Sequence, residues 1–377
     1  MSEPRSFTGR PLAGRPLAGR QHARRPLEGL RVLEVATLYA APQIAAMLGD
    51  LGADVVKVEP PTGDPMRRMG RAVLWDLVAR HKRSIMLDLE SGRSPDDAAT
   101  FDALVAETDV LVENLTPALR RSWDCTYEAL AARNPRLVVV SVSCFGATGP
   151  YADRPGAGTL AEAFAGLTHM TGEADGPPML ASVAIGDTVT AFSGVIGALA
   201  ACWSRDARSG TGSHVDISMY EPILAIMAGT LAGWDGAGEP PRRNGSRVPG
   251  GTPRNVYRTS DARYVAVSGT TDAQVARVLG VIDHDTPDDR ARFGRAVDRA
   301  VASDDLDALV AEWIAANSRD EVIRALLDAR VPVAPVNDAR DIFEDPHIAF
   351  RGGVVKSAPG AELDAHRSDV LADWLAH

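Results

Sequence analysis

LRVLEVATLYAAPQIAAMLGDLGADVVKVE, residues 30–59, changes its period twice within one short stretch. LRVLEVA is a compact run dominated by Leu, Val and Ala, the pattern of a strand buried on both faces. APQIAAMLGDLG repeats its apolar side chains at helical spacing and ends in glycine, a common stop signal. ADVVKVE then returns to a strand. Strand, helix, strand is a βαβ unit, which joins parallel strands. The alternation continues with SIMLDL, DDAATFDALVAET, DVLVEN, YEALAARN and RLVVVSVSCF. Such a series predicts a doubly wound parallel sheet. A dinucleotide site would show G-x-G-x-x-G in the turn after the first strand, but that turn is ATLYAAPQIA, so NAD or FAD binding in that mode is not expected.

Bulk properties narrow the function classes. The 377 residues are 45% hydrophobic and 24% charged, which suits two or three folded domains. A net charge of −10 argues against a nucleic-acid partner, which needs a basic face. Cys125, Cys144 and Cys202 lie far apart with no C-x-x-C, which fits a reducing compartment and predicts no bound metal. No apolar run is expected to reach the length that crosses a bilayer, about 20 residues. No apolar core of a secretion signal is seen either, so a cytoplasmic protein without a membrane partner is expected. Residues 1–25, with the repeat GRPLAGRPLAGR, are expected to be a disordered tail.

One acid stands out. In ASVAIGDTVTAFSGVIGALAAC, residues 181–202, Asp187 has no charged neighbour within ten positions and heads an apolar helix. A helix cap, worth about 1 kcal/mol, is the plainer reading of these residues alone. A nucleophile or base, desolvated by its setting and steadied by the helix N-terminus, is the sharper one. Motifs for other chemistries are missing: there is no H-E-x-x-H, G-x-S-x-G or P-loop.

Several stretches together resemble the family III CoA-transferases, the CaiB–BaiF family. They are PLEGLRVLEVATLYAAPQIAAMLGDLGADVVKVEPPTGDPMR, HKRSIMLDL, DVLVEN and NPRLVVVSVSCFGATGPY, then GLTHMTGEADGPPMLASVAIGD and SGTGSHVDISMYEP. The resemblance resumes in YRTSDARYVAVSG, VPVAPVNDARDIFEDPHI and RSDVLADWL, and covers the chain from Pro26 onward. It implies that Asp187 is the catalytic aspartate, which attacks a thioester to form an aspartyl mixed anhydride and then an aspartyl-CoA thioester. It implies CoA contacts at Leu38, Tyr39, Arg67, Lys82, Arg83, Leu87, Asn114, Leu115 and Arg121. In the transferases a Gln stands where this chain has Tyr39, and the segment after Arg121 reads SWDC, away from the family pattern. Ala157, Gly158, Glu162, Gly250 and Gly251 fall at the substrate pocket. The racemases of the family carry a His-Asp pair where this chain has Ala157 and Gly158, and formyl-CoA transferase carries Glu at the second position. Glu162, one turn further on, is a possible substitute acid; an exposed helix acid is the plainer expectation.

The fold expected is α/β: a Rossmann-like large domain over 26–222, a smaller α+β domain over 223–329 opening with the linker DGAGEPPRRNGSRVPGGTPRN, and a return of 330–377 to the large domain. The resemblance implies an interlocked homodimer. It also implies CoA transfer from an acyl-CoA to a carboxylic acid, with coenzyme A or acyl-CoA as substrate and no permanently bound cofactor. An acyl-CoA racemase or epimerase, and a CoA-binding protein with little turnover, are the alternatives.

Overall fold

The computed structural model describes residues 25–69, 72–89, 94–237, 240–248, 251–353 and 359–375; residues 1–24 of the expected tail lie outside them. The chain forms two units. The first takes residues up to 168, 180–240 and 352 onward, and the second takes 169–179 and 241–351.

The first unit is built on six strands: β1 (Arg31–Val35), β2 (Asp54–Glu59), β3 (Lys82–Met86), β4 (Val110–Glu113), β5 (Val138–Ser143) and β6 (His214–Ser218). All neighbours run parallel in the order β3-β2-β1-β4-β5-β6. This is the doubly wound order, in which the sheet grows outward in both directions from β1. Leu33 sits beside Val56 on one side and Leu111 on the other, so the β-branched and Leu side chains stack into a continuous core. The helices are α1 (Ala40–Asp50), α2 (Ala72–Ala79), α3 (Pro95–Ala106), α4 (Pro117–Ser122) and α5 (Tyr127–Arg133). They continue with α6 (Gly158–Phe164), α7 (Leu167–Met170), α8 (Ile185–Ser204), α9 (Tyr220–Ile226) and α10 (Ala228–Ala237).

The second unit holds an antiparallel sheet, β7 (Arg254–Arg258), β8 (Tyr264–Ser268) and β9 (Val333–Pro335), in the order β7-β8-β9. Its helices are α11 (Asp272–Val281), α12 (Pro287–Phe293), α13 (Ala296–Val301), α14 (Ser303–Ala316), α15 (Arg319–Asp328), α16 (Ala339–Glu344) and α17 (Pro346–Arg351). Val265, Val267, Leu279, Phe293, Leu306 and Ile314 form its core. The chain then returns to the first unit as α18 (Arg367–Leu375), which buries Val370 and Trp374 in the same core as Ile85 and Phe101.

The boundaries differ from those expected. VPVAPVND does not leave the smaller unit at 330: Val333, Ala334 and Pro335 pair with β8 and complete its sheet. Residues 223–237 stay with the larger unit, and Ile223 in α9 is fully buried there. The expectation about apolar runs also needs correction. Ile185–Ser209 is long and apolar enough, by length and composition, to cross a bilayer. Its buried row is made of Gly186, Thr190, Gly194, Ala198 and Cys202, four residues apart, packed inside this unit.

Candidate active site

In a doubly wound sheet the strand order reverses at a crevice outside the carboxyl ends of the strands, where ligands bind. Here a cavity of about 550 Å³ opens at the ends of β1, β4, β5 and β6, lined among others by Leu38, Tyr39, Asn114, Cys144 and Asp187. Two polar clamps hold the loop after β1. Asn114 donates to the Thr37 carbonyl at 2.8 Å and accepts from the Thr37 N–H at 3.0 Å. Asp64 Oδ1 accepts from the Leu38 N–H at 3.2 Å and holds Leu38 in the left-handed region, φ 69°. Asp64 is itself pinned by the buried Lys57, whose Nζ lies 2.9 Å from Asp64 Oδ2 and 2.6 Å from Glu34 Oε1. A buried ionic cluster therefore shapes one wall of the cavity.

Asp187 forms the opposite feature. The residue before α8 is Ala184, which gives no side-chain cap, and Asp187 is the third residue of the helix, so the capping expectation fails. The cap comes from another element: the Gly186 N–H donates to Glu162 Oε1 of α6 at 2.8 Å. Glu162 is 1% exposed, which corrects the expectation of a surface acid. Phe164 of the same helix packs edge-to-face on Phe145, Tyr151 and Tyr220, which fixes α6 against this wall. Gly158 lies directly against the Asp187 carboxylate. A Cβ there would stand 2.1 Å from Asp187 Oδ2, so a side chain at this position would force the Asp187 carboxylate to move. Burial pushes the Asp187 carboxyl up to about 6, and the neighbouring Glu162 carboxylate pushes the same way. At neutral pH the group is still mostly ionised, a desolvated carboxylate facing a cavity. Cys144 is buried and its thiol donates to the Ala157 carbonyl at 3.8 Å; burial first, and Asp187 second, push the thiol up, which suits a core residue more than a nucleophile.

The expected contacts separate into groups. Leu38, Tyr39, Asn114, Leu115, Ala157, Gly158 and Asp187 come together around the cavity. Leu87 is buried and lines a small neighbouring cavity of about 50 Å³ with Val35 and Leu115. The structure does not bring the basic groups to the cavity lining. Lys82 is buried, donates to the Pro42 carbonyl at 2.7 Å and pairs with Glu34. Arg67 is held by a two-point bridge to Glu59, at 2.7 Å twice, and stacks on Trp75. Arg83 pairs with Asp54 and Asp373 at 2.6 Å each. Arg121 is exposed at the end of α4, while the adjacent Arg120 pairs with Glu113. Gly251 belongs to the second unit, where it lines a cavity of about 470 Å³ with Arg247 and Arg299; Gly250 lies outside the described residues. The cavity also holds a cation that sequence reasoning missed. Arg154 stacks 3.5 Å over the centre of the Tyr151 ring and forms no ion pair among the described residues. Its position in YADRPGAG, three residues before Ala157, was the available signal.

Residues 27–371 match the family model described as CoA-transferase family III. The chain is 34% identical to a succinyl-CoA–D-citramalate CoA-transferase of Chloroflexus aurantiacus, over 89% of this chain and 84% of that protein. It is 34% identical to a succinyl-CoA:mesaconate CoA-transferase of Haloarcula marismortui, over 89% and 87% of the two chains. Among solved structures, a CAIB/BAIF family protein from Brucella suis superposes with a TM-score of 0.81 at 30% identity, over 93% of this chain and 99% of that one.

Proposed function

The chain belongs to CoA-transferase family III and is a CoA-transferase; from that premise we propose that Asp187 is the residue through which CoA passes from an acyl-CoA to a carboxylic acid. The observation that carries this reading is the placement of one desolvated carboxylate, at the first turn of α8, in the cavity at the strand ends. An oxygen of Asp187 attacks the thioester carbonyl, the C–S bond breaks and the electron pair leaves on sulfur as CoA thiolate, giving an aspartyl anhydride. Thiolate attack then yields aspartyl-CoA and releases the first acid. The incoming carboxylate reverses the sequence. Ala157 and Gly158 carry no acid or base, so racemisation loses its simplest second proton-moving group.

The two relatives named above act on acids with two carboxylates, and Arg154 in the cavity suits the second one, so dicarboxylic acids are the proposed substrate class. Cys125, Cys144 and Cys202 are buried and form no disulfide among the described residues, which fits a reducing compartment such as the cytoplasm. Exposed Phe192, Ile196 and Trp203 on α8 support a homodimer.

Hydroxylamine trapping tests the nucleophile. Incubation with succinyl-CoA and hydroxylamine should convert Asp187 to a hydroxamate, detected by peptide mass. Asp187→Asn should lose the adduct and at least a thousandfold in transfer, since a covalent nucleophile has no small share. The variant should keep its fold and melt no lower than the wild type. The sign follows from the raised carboxyl: ionising Asp187 costs more in the folded state, so this destabilisation grows from pH 3.8 to about 6 and persists above. An adduct on another residue, or transfer retained by the variant, defeats the reading.

A further inference from the structure

Glu162 is a buried carboxylate with no cation partner among the described ion pairs, and its Oε1 is tied to the backbone one residue before Asp187. Burying an acid in this way is costly unless something is gained from it. We propose that Glu162 is a positioning residue that acts through Asp187: its bond to Gly186 orients the first turn of α8, and its negative charge destabilises the free Asp187 carboxylate relative to the acylated one. The inference rests on Asp187 being the nucleophile.

The physical argument follows the charge. Before reaction the Glu162 carboxylate lies close enough to Asp187 to act on its charge at a desolvated site. When the Asp187 oxygen bonds to the acyl carbon and the C–S bond breaks, the charge leaves with the CoA thiolate. The repulsion is relieved in the same step. An interaction that raises the free nucleophile more than the transition state speeds that step. Glu162 cannot swing away, because the Gly186 N–H holds it and the aromatic contacts of Phe164 hold α6. Other groups around the site do not substitute for it. Asp153, Arg154 and Tyr39 line the same cavity, and the Cys144 thiol stands at the end of β5. On α9, Tyr220 is packed against Phe164 and Glu221 is exposed; on β6, Asp216 is exposed and accepts from the Ala147 N–H. Glu162 is the charged side chain that acts on Asp187.

Glu162→Gln keeps the hydrogen-bond acceptor and removes the charge. Two readouts test it. The first is the pH profile of kcat/KM for succinyl-CoA, whose acid limb in the wild type should fall near pH 6. The variant's limb should move down by about one pH unit, so that at pH 5 it keeps about fivefold more of its plateau rate than the wild type. Its plateau rate should fall several-fold. The second readout needs no turnover: the Asp187 carboxyl is titrated by 13C NMR in aspartate-labelled protein, its signal identified by loss in Asp187→Asn. The midpoint should drop in the variant. If transfer is absent but the midpoint moves, the functional reading fails and the coupling stands. Coincident acid limbs, or a uniform rate loss with an unmoved limb, overturn the inference. A wild-type midpoint near 4 overturns it even if the variant does not fold.

Discussion

At the level of single residues, Gly158 leaves the Asp187 carboxylate the space that a side chain would take. The position next to Ala157 carries Asp or Glu in the racemases and formyl-CoA transferase that the sequence resembles. Here the Asp187 carboxylate occupies that space, with Oδ2 only 2.1 Å from where a Cβ would stand. Gly158→Ala should therefore displace the nucleophile without harming the core. Steady-state kinetics should show at least a tenfold loss in kcat, with a melting temperature within a few degrees of the wild type, as for overpacking at the low end of about 1–3 kcal/mol. A fully active variant would mean that Asp187 reacts from another rotamer. Asp187 stood out in the sequence as a lone acid heading an apolar helix, whereas Asn114 and Leu38 were named only through the family resemblance. The burial of Glu162 was not legible, because it depends on α8 lying across α6, which no local pattern states.

At the scale of the element, α8 shows why hydropathy alone misleads. Its inner row of Gly186, Thr190, Gly194, Ala198 and Cys202 lets neighbouring elements approach closely; a Cβ on Gly194 would stand 2.2 Å from Ile44 Cδ1. Its outer face carries Phe192, Ile196 and Trp203, each more than half exposed. A helix apolar on both faces looks membrane-like by composition, but small residues on one face mark close packing and large ones on the other mark an association surface. Ile196→Asp should weaken the proposed homodimer by placing a charge in its apolar contact. Light scattering at micromolar concentration should give a dimer mass for the wild type and a monomer mass for the variant. A monomeric wild type would remove the dimer from the proposal.

For the molecule as a whole, the split of the large unit is the governing feature. The last helix, α18, returns after the whole smaller unit to cover β3 and α3. Trp374 is 1% exposed, donates from Nε1 to Asp54 Oδ2 at 2.8 Å and lies under the Arg31 guanidinium. Trp374→Ala should cost about 3–5 kcal/mol, the range for a large buried aromatic. Urea denaturation should show this as a lower midpoint with an unchanged slope. A loss under 1 kcal/mol would mean that α18 is an accessory to the sheet instead of part of its core.

The residues themselves determined the strand–helix alternation, the parallel sheet and the isolation of Asp187, because each is written in local periodicity or in neighbours along the chain. The three-dimensional arrangement decided what faces what. Lys82, Arg67 and Arg83 look like a basic ligand site in sequence but are each paired in the structure with an acid of β1 or β2. VPVAPVND looks like an exit but is the third strand of a sheet whose partner lies some 70 positions earlier. Glu162 looks like a surface acid but is buried beside Asp187. These contacts, a strand pairing and several buried charge interactions, form only when the elements close on one another.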